Sequence, residues 1–360
     1  MVDWLAGNRI RGTSTERTSA TGFNSVTAVT GGWKEVARTT LGSNGTAVDV
    51  TSIPDKRYYM ILSDLQASTG TINPYSFINN LGGSSYSTSF VANNGNLNSQ
   101  FGVGYGNYTG YGTMSDPYFV VDYWANLSTQ EKLGIRHVVL QDGSAAGNIP
   151  KRVIATPKVA FTGSVISSFK WTGGTFSSGD EVVVLGWDPD DTHTTNFWEE
   201  LGTTTLDSSN ANLEVTGLTK KKYLWVQAYG TGLSGAENPQ VQLGDTSFDT
   251  GSSNYTNRQQ DNGSPSSYDG TATQGGIVHN TTTIGTPFFV NMFIVNNQSK
   301  YKLCIMDWVT QFTAGSGYPP KRQEGVSKWN NSSVQISRVR INHQSRTLGS
   351  GSVIKVWGSN

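Results

Sequence analysis

The sequence predicts an all-β protein built from two tandem, homologous antiparallel β-sandwich domains. Three observations support this fold class. Gly accounts for 42 of the 360 residues and charged residues for only 14%, a composition typical of turn-rich β-proteins. Short runs alternate apolar with polar residues, which is the period of a half-buried strand. Finally, the second half of the sequence repeats the first.

The repeat is clearest in two pairs of segments. GWKEVARTTL at 32–41 matches FWEELGTTTL at 197–206 with an offset of 165 residues, and EKLGIRHVV at 131–139 matches YKLCIMDWV at 301–309 with an offset of 170. The offset changes only in Gly-, Ser- and Asn-rich stretches, where loops tolerate insertions. So long a period indicates a tandem duplication and not a solenoid, whose units are shorter.

The duplication predicts the domain organisation. Residues 1–31 are polar and weakly periodic, so we expect an N-terminal arm outside the repeat. The first β-sandwich domain is predicted at 32–187 and the second at 197–360. Between them, residues 188–196 contain Pro189 and short polar side chains, which are typical of a linker.

Each copy is predicted to contain about eight strands separated by turns, which suits a jelly-roll-like sandwich. Strand number alone does not distinguish this form from an immunoglobulin-like order. The most hydrophobic runs, YFVVDYWANL at 118–127 and FFVNMFIVNN at 288–297, are expected to be central strands. The segments 83–116 and 231–285 are expected to be long loops that differ between the copies.

Charge and cysteine content argue against several classes of protein. The 26 basic and 26 acidic residues balance, which gives no electrostatic footprint for nucleic acid. No segment has the roughly 20 apolar residues of a membrane span, and residues 1–13 lack the apolar core of a signal peptide. The single cysteine, Cys304, has apolar neighbours and is expected to be a core residue, not a nucleophile.

We predict no catalytic, cofactor-binding or metal-binding residues, and therefore no enzyme. The acidic segment DPDDTH at 188–193 offers oxygen ligands for Ca²⁺, but it lacks the glycine and the closing glutamate of an EF-hand, so a solvated linker is the preferred interpretation. The four histidines show no metal-ligand spacing, and His137 is replaced by Asp307 in the second copy.

Two repeated motifs supply candidate interface residues. Trp33 and Glu35 recur as Trp198 and Glu200, and we expect the glutamates to make structural hydrogen bonds to a loop or turn. PKR recurs at 150–152 and 320–322. Its arginines, Arg152 and Arg322, are expected either to pair with carboxylates of a neighbouring subunit or to be solvated in a turn that leads into a strand.

A third candidate is the segment FGVGYGNYTGYG at 101–112, which alternates glycine with aromatic residues. Its tyrosines, Tyr105, Tyr108 and Tyr111, are placed to stack on a sugar or a partner subunit, or to pack on their own loop. The corresponding region of the second copy, 252–270, is more polar. Because loops that diverge on a repeated framework usually carry binding specificity, this segment is a candidate binding site.

The leader LAGNRIRGTSTER at 5–17 resembles the short N-terminal motif of virion structural proteins from tailed phages and environmental viruses. The framework of each copy is similar to a module of such proteins. In the second copy it is carried by Trp198, Glu199, Glu200, Leu201, Thr204, Thr205, Leu206, Lys222, Tyr223, Leu224, Phe288, Phe289, Val290, Lys321, Arg322, Lys328, Trp329, Gly351 and Ser352. The resemblance implies a jelly-roll-like sandwich used for assembly, with no catalytic residues. The first copy departs from it at Lys34, Val36, Ala37 and Val159.

These observations favour a virion structural protein that builds or decorates a capsid. We expect a homo-oligomer, with a trimer favoured because two sandwich domains per chain give three copies a pseudo-hexagonal outline, and contacts with other capsid or virion proteins. The protein would be assembled in the host cytoplasm and located in the virion. The alternative is a glycan-binding tail-fibre or lectin-like module that acts through its Tyr-rich loops. An enzyme on a β-sandwich is a third hypothesis, which a close pair of buried carboxylates in a groove would support.

Overall fold

The computed structural model describes residues 29–30, 32–70, 72–93, 98–101, 107–108, 116–145, 147–189, 191–193, 195–231, 239–251, 253–261, 267–271, 277–278, 287–311, 314–316, 320–343 and 345–360. The regular secondary structure of the described residues is β-strand, apart from one 3₁₀ turn at Gly83–Ser85. Its strands form two similar antiparallel β-sandwiches in tandem, so the predicted fold class is confirmed.

Twelve strands are described in the first half of the chain and twelve in the second. Those of the first half are β2 (Lys34–Thr40), β3 (Gly45–Val50), β4 (Tyr58–Leu65), β5 (Tyr75–Ile78), β6 (Tyr86–Ala92), β7 (Asn98–Phe101), β8 (Asn107–Tyr108), β9 (Tyr118–Ala125), β10 (Lys132–Leu140), β11 (Lys151–Val159), β12 (Phe169–Phe176) and β13 (Glu181–Trp187). Those of the second half are β15 (Glu199–Thr205), β16 (Asn212–Val215), β17 (Tyr223–Gly230), β18 (Gln240–Gly244), β19 (Tyr255–Asp261), β20 (Ser267–Thr271), β21 (Ile277–Val278), β22 (Phe288–Val295), β23 (Lys302–Thr310), β24 (Lys321–Trp329), β25 (Arg338–Asn342) and β26 (Val353–Ser359).

Each half consists of an eight-stranded and a four-stranded sheet with the same topology. In the first half the orders are β2-β13-β4-β9-β10-β11-β6-β7 and β3-β12-β5-β8. In the second half they are β15-β26-β17-β22-β23-β24-β19-β20 and β16-β25-β18-β21. The two most hydrophobic runs, β9 and β22, each lie fourth in the eight-stranded order, so they are central strands as predicted.

The expectation of about eight strands per copy was wrong. The difference lies in the segments expected to be loops, which contain β6, β7 and β8 in the first half and β18 to β21 in the second. Apart from the two-residue β21, these strands are rich in Ser, Asn, Gln and Thr, so their hydrophobic alternation is weak. Hydrogen bonding to neighbouring strands holds them in the sheets, where propensity alone does not.

Each sandwich has its own hydrophobic core between its two sheets. In the first half, Val48 and Trp171 of the four-stranded sheet pack with Ile61 and Val120 of the eight-stranded sheet. The second half has an equivalent cluster, which includes Cys304 at 0% exposure. The expectation that Cys304 is a core residue is confirmed, and burial raises the pKa of its thiol to about 12.

A third hydrophobic cluster contains residues of both halves and comes from the opposite faces of the two eight-stranded sheets. Along β4, Ile61 lies in the core of the first half, whereas Met60 and Leu62 lie in this shared cluster. Along β17, Val226 lies in the core of the second half, whereas Trp225 lies in the shared cluster. The layer order is therefore four, eight, eight and four strands. Strands buried on both faces explain the nearly continuous apolar runs in the sequence.

A short two-stranded sheet joins the segments that precede the two halves. It pairs β1 (Val29–Thr30) with β14 (Thr192–His193) in antiparallel register. Residues predicted as an arm and as a linker thus hydrogen-bond to each other. In addition, the amide of Phe197 donates to the carbonyl of Trp33 at 2.8 Å. The segments that lead into the two halves therefore lie next to each other.

Candidate functional site

The interface between the two halves gathers more of the sequence-predicted residues than any other described region. Its centre is apolar and rich in aromatic side chains. From the first half it contains Trp33, Met60, Leu62, Phe119, Val121, Val139, Val183 and Leu185. From the second half it contains Phe197, Trp198, Tyr223, Trp225, Phe293, Val295, Leu303, Ile305, Val326 and Trp357.

The paired tryptophans of the repeat both lie in this interface. Trp198 packs at 5.7 Å from the ring of Trp225 and 6.0 Å from that of Phe293, measured between centroids. Trp33 lies 6.3 Å from Trp187. Large aromatic side chains bury much apolar area and add a preference for particular ring geometries. Each of these ring contacts lies within one half, so the tryptophans contribute to the aromatic centre of the interface from its two sides.

An acidic corner of the first half, formed by Asp64, Asp180 and Glu181, receives two lysines of the second half. The Nζ of Lys300 lies 3.1 Å from Asp64 Oδ1 and 3.4 Å from Asp180 Oδ1. The Nζ of Lys222 lies 3.2 Å from both Asp64 Oδ2 and Glu181 Oε1. All three carboxylates are buried, so each depends on these partners to remain charged.

Hydrogen bonds complete the acidic corner. The hydroxyl of Tyr223 donates to Glu181 at 2.8 Å, and Arg38 donates to the other carboxylate oxygen at 2.8 Å. Backbone amides of Gln66 and Ser177 donate to Asp180 at 2.8 and 3.0 Å. The corner thus joins the two halves through a saturated polar network, which is the condition under which buried charges are tolerated.

The pKa values of the acidic corner reflect a balance between burial and ion pairing. Burial raises the pKa of Asp64, but Lys300 and Lys222 outweigh it and hold that pKa below its ordinary value. Lys222, Thr40 and Arg38 likewise lower the pKa of Glu181 against the effect of burial. For Asp180 burial prevails and raises the pKa to about 6. Two of the three carboxylates are therefore firmly ionised at neutral pH.

Arg152 forms a second polar contact across the interface. It lies within β11, only 1% exposed, and its Nη1 is 3.3 Å from Glu324 Oε2 of the second half. Its Nη2 donates to the side chain of Gln260 and, at 3.0 Å, to the carbonyl of Asn93. Its repeat equivalent, Arg322, is 59% exposed and contacts the same Glu324 at 3.2 Å. The partner of Arg152 is thus a carboxylate of its own chain, and neither arginine lies in a turn.

A small cavity lies beside Arg152, with an interior volume of about 10 Å³, which is about the space of one water molecule. His137, Asp307, Glu324 and Ile154 are among its lining residues. Burial raises the pKa of Asp307, while His137 and Arg152 oppose that rise. Pockets for small molecules usually measure about 300–1,000 Å³, so this cavity is small for a substrate.

A third group of polar contacts uses a loop of the first half. Lys328 Nζ donates to the carbonyls of Ala145 at 3.1 Å and Gly143 at 3.4 Å. The hydroxyl of Tyr301 donates to the carbonyl of Ser144 at 2.9 Å. Burial lowers the pKa of Lys328 to about 8. Together with the acidic corner and Arg152, these contacts surround the aromatic centre with polar bonds, the usual arrangement of a stable protein–protein interface.

The two repeated glutamates lie near the interface in edge strands. Glu35 of β2 forms an ion pair of 2.7 Å with Arg38, which in turn contacts Glu181. Glu35 therefore orients an arginine of the acidic corner, and no loop or turn is involved. Glu200 lies in β15 opposite Trp357 of β26, next to a bulge in that strand pair.

The Tyr-rich segment falls mostly outside the described residues. Tyr105 and Tyr111 lie outside them, and Tyr108 belongs to β8, whose backbone pairs with Tyr75. In the acidic linker segment, Asp188 and Asp191 both bind Lys56, at 3.1 and 2.5 Å. Within the described ranges, no group of three or more His, Cys, Asp and Glu residues is arranged to hold a metal ion.

Sequence reasoning missed the acidic corner. A signal was present in the alignment of the two copies, because Asp64 and Glu181 align with Tyr229 and Val353. Lys300 aligns with Gln130. Charges that appear in only one of two homologous apolar strands are costly unless they have a partner. They therefore indicate a contact that only one copy makes.

Comparisons with known proteins add little. No protein-family model matches the chain, and no curated protein matches its sequence. Among solved structures, the chain is similar to domains LG4-5 of the mouse laminin alpha1 chain, with 9% identity over 91% of each chain and a TM-score of 0.16. Among the described residues, no helix has the length and apolar character of a membrane span.

Proposed function

We propose that the protein is a virion structural protein, which builds or decorates a capsid through oligomeric assembly of its two jelly-roll-like halves. The observation that carries the proposal is the interface between the halves. It combines an aromatic centre with buried ion pairs, so the two homologous sandwiches of one chain are packed into a single block. A block of this kind suits assembly through shape, and the proposal assigns no catalytic role to any residue.

The resemblance of the leader and the repeated framework to virion proteins supports the same proposal. So does the balanced charge, because a neutral surface gives no electrostatic footprint for nucleic acid and suits contacts with other proteins. We propose a homo-oligomer, with a trimer favoured, that contacts other capsid or virion proteins.

The test is the mass and image of the purified full-length chain. Mass photometry is expected to show a discrete oligomer, and negative-stain electron microscopy a symmetric particle. A chain that remains monomeric at every concentration, with no assembled particles, would contradict the proposal.

Glycan binding by a tail-fibre or lectin-like module is the second candidate, favoured by the alternation of glycine and tyrosine at 101–112. Stacking of a sugar on tyrosine requires exposed rings. A glycan array with the wild type and with Tyr105→Ala, Tyr108→Ala and Tyr111→Ala decides it. Binding that is lost in these variants would support this candidate, and an array without signal would exclude it for the sugars tested.

A further inference from the structure

A buried polar cluster lies between the two sheets of the first half. Arg136 binds Asp122 through two hydrogen bonds, from Nε at 2.6 Å and from Nη2 at 2.7 Å. Its Nη2 also donates to the hydroxyl of Ser76 at 2.8 Å, and its guanidinium carbon lies 4.8 Å from the centre of the Trp171 ring. The indole of Trp171 donates to the hydroxyl of Ser63 at 3.0 Å. All five side chains are completely buried.

The equivalent positions of the second half are all apolar. The five residues of the buried polar cluster belong, in the order given, to β10, β9, β5, β12 and β4. Their aligned positions carry Met306, Met292, Val241, Ile341 and Ala228, which all belong to the hydrophobic core of the second half. The register is the same in both halves, since Asp122 faces Arg136 and Met292 faces Met306. The two cores thus differ in chemistry at positions where their backbones agree.

This difference bears on a hazard of tandem duplications. Each strand of one half has a homologue that fits the same place in the other half, and neighbouring homologous domains misfold by exchanging such strands. The backbone does not prevent exchange here. Both halves have the same strand order, the equivalent strands β9 and β22 each have eight residues, and β10 and β23 each have nine. Discrimination between the halves therefore depends on side chains.

The buried polar cluster penalises exchange of a single strand in both directions. If β22 took the place of β9, Met292 would replace Asp122, and Arg136 would be buried without its carboxylate. If β9 took the place of β22, Asp122 would lie opposite Met306 with no cation beside it. A buried charge that has lost its partner is strongly destabilising. Neither mispaired sandwich therefore competes with the native one.

Exchange of the β9–β10 hairpin as a unit is penalised as well. The moved hairpin would keep the ion pair between Asp122 and Arg136 but would lose the other contacts of the cluster. In the second sandwich the guanidinium would meet Val241, which cannot accept the hydrogen bond that Ser76 accepts. A buried ion pair is tolerated only where further hydrogen bonds complete it. The cluster therefore discriminates between the two sandwiches at the level of the hairpin too.

We propose that the buried polar cluster determines strand pairing: it makes β4, β5, β9, β10 and β12 assemble with one another and not with their homologues in the second half, of the same chain or of another copy. The determinant is the difference between the two cores, one with an ion pair and one apolar. Two apolar cores would be as stable, because a buried ion pair has no general advantage in stability over apolar residues of similar volume. They would not exclude mispaired strands, since specificity needs a penalty on the wrong partner. This role concerns how the chain reaches its fold and goes beyond the proposed function.

The experiment measures refolding of the full-length chain. The apolar variant carries Ser76→Val, Asp122→Met and Arg136→Met, which gives the two halves alike core positions. Wild type and variant are unfolded in guanidinium chloride and diluted, and near-ultraviolet circular dichroism gives the fraction that regains the native fold. The apolar variant is expected to recover at least about twofold less native protein than the wild type, because exchanged strands are no longer penalised.

Two controls separate strand pairing from stability. The exchanged variant adds Val241→Ser, Met292→Asp and Met306→Arg to the apolar variant, so the ion pair moves to the second half and the two cores still differ. It is expected to refold as completely as the wild type. Val120→Ala destabilises the first half, where Val120 is completely buried, and leaves the cluster intact. It is also expected to refold completely in a buffer that stabilises its native state.

Cys304 supplies a direct readout of exchange. It faces Ile294 of β22, and Trp124 of β9 aligns with Ile294. In the native fold Trp124 lies in the core of the first half and Cys304 in that of the second. With Trp124→Cys, a disulfide to Cys304 requires that β9 has taken the place of β22, because only then are the two cysteines cross-strand neighbours. Trp124→Cys is made in the wild type and in the apolar variant, both are refolded with oxidised glutathione, and mass spectrometry of proteolytic fragments detects the bond.

Lower recovery of the apolar variant, full recovery of both controls and a disulfide in the apolar background alone would support the inference. It is wrong if the apolar variant refolds as completely as the wild type, or if the disulfide is equally frequent in both backgrounds. It is also wrong if the exchanged variant, at equal stability, refolds as poorly as the apolar variant. None of these measurements depends on the oligomeric state, so the proposed function is tested separately.

Discussion

The Nζ of Lys300, in the second half of the chain, lies 3.1 Å from Oδ1 of Asp64 in the first. Both side chains are largely buried, with 15% and 1% of their surfaces exposed. The contact spans 236 residues of sequence, so it forms only when both sandwiches are folded and docked. Substitution of either residue therefore tests whether the two halves are docked as described.

Lys300→Met is expected to destabilise the protein by about 3–5 kcal/mol, because Asp180 would remain buried without its lysine and Asp64 would keep only Lys222. Denaturant unfolding measures the change. The matched control is Lys158→Met, whose partner Glu131 is 44% exposed. That change is expected to cost less than about 1 kcal/mol. An equal loss of unfolding free energy in the two variants would show that the buried ion pair contributes no more to stability than an exposed one.

Asp180 predicts a pH dependence of opposite sign to that of an ordinary ion-paired carboxylate. Burial raises its pKa from 3.8 to about 6, so the folded state binds a proton more tightly than the unfolded state. The contribution of Asp180 to stability is therefore present below about pH 4 and is lost as the pH rises to about 6. Asp180→Asn removes this loss. From pH 4 to pH 6 the free energy of unfolding of the wild type is expected to fall relative to that of the variant, by about 3 kcal/mol at most. A difference that is constant over this range would contradict the prediction.

The ion pair of Arg136 with Asp122 predicts a non-additive pair of substitutions. The two side chains are fully buried, and Nε of Arg136 lies 2.6 Å from Asp122 Oδ1. At the aligned positions the second half has Met306 and Met292, which face each other in the same register. The same position of the fold is thus occupied by an ion pair in the first half and by two methionines in the second.

Arg136→Met alone is expected to cost about 3–5 kcal/mol because Asp122 is left unpaired. Arg136→Met combined with Asp122→Met reproduces the pair of the second half and is expected to recover most of that loss. Ser76, which accepts a hydrogen bond from Arg136 at 2.8 Å, aligns with Val241, so adding Ser76→Val also removes the hydroxyl that would be left without its donor. A double-mutant cycle in denaturant measures the coupling. A double variant as unstable as Arg136→Met would refute this account.

Cys304 predicts slow modification by thiol reagents in the folded protein. It has no exposed surface, and burial raises the pKa of its thiol to about 12. The reactive thiolate is therefore scarce and inaccessible at neutral pH. Because it is the single cysteine of the chain, its alkylation, followed by mass spectrometry over a denaturant series, is expected to follow unfolding of the second half. Rapid labelling without denaturant would contradict the buried position.

The duplication, the fold class and the central strands were readable from the sequence because each follows from local patterns. Alternation along a strand depends on which faces are buried, and a repeat is visible by alignment. The short or polar strands β6 to β8 and β18 to β21 were missed because their stability comes from neighbours distant in sequence.

The sequence by itself determined that two homologous β-sandwiches follow one another, and that β4, β9, β17 and β22 are apolar enough to be buried on both faces. Only the tertiary structure decided what covers their second faces. It brought Trp33 and Trp198 into one interface and paired Asp64 with Lys300, and it left Leu133 exposed while burying Leu303. The physical reason is that propensity and periodicity act over a few residues, whereas the packing of one sheet on another depends on side chains more than 200 positions apart. The outer faces of the two eight-stranded sheets have similar local sequence patterns, and only the packing of one half on the other decides which of their residues are buried.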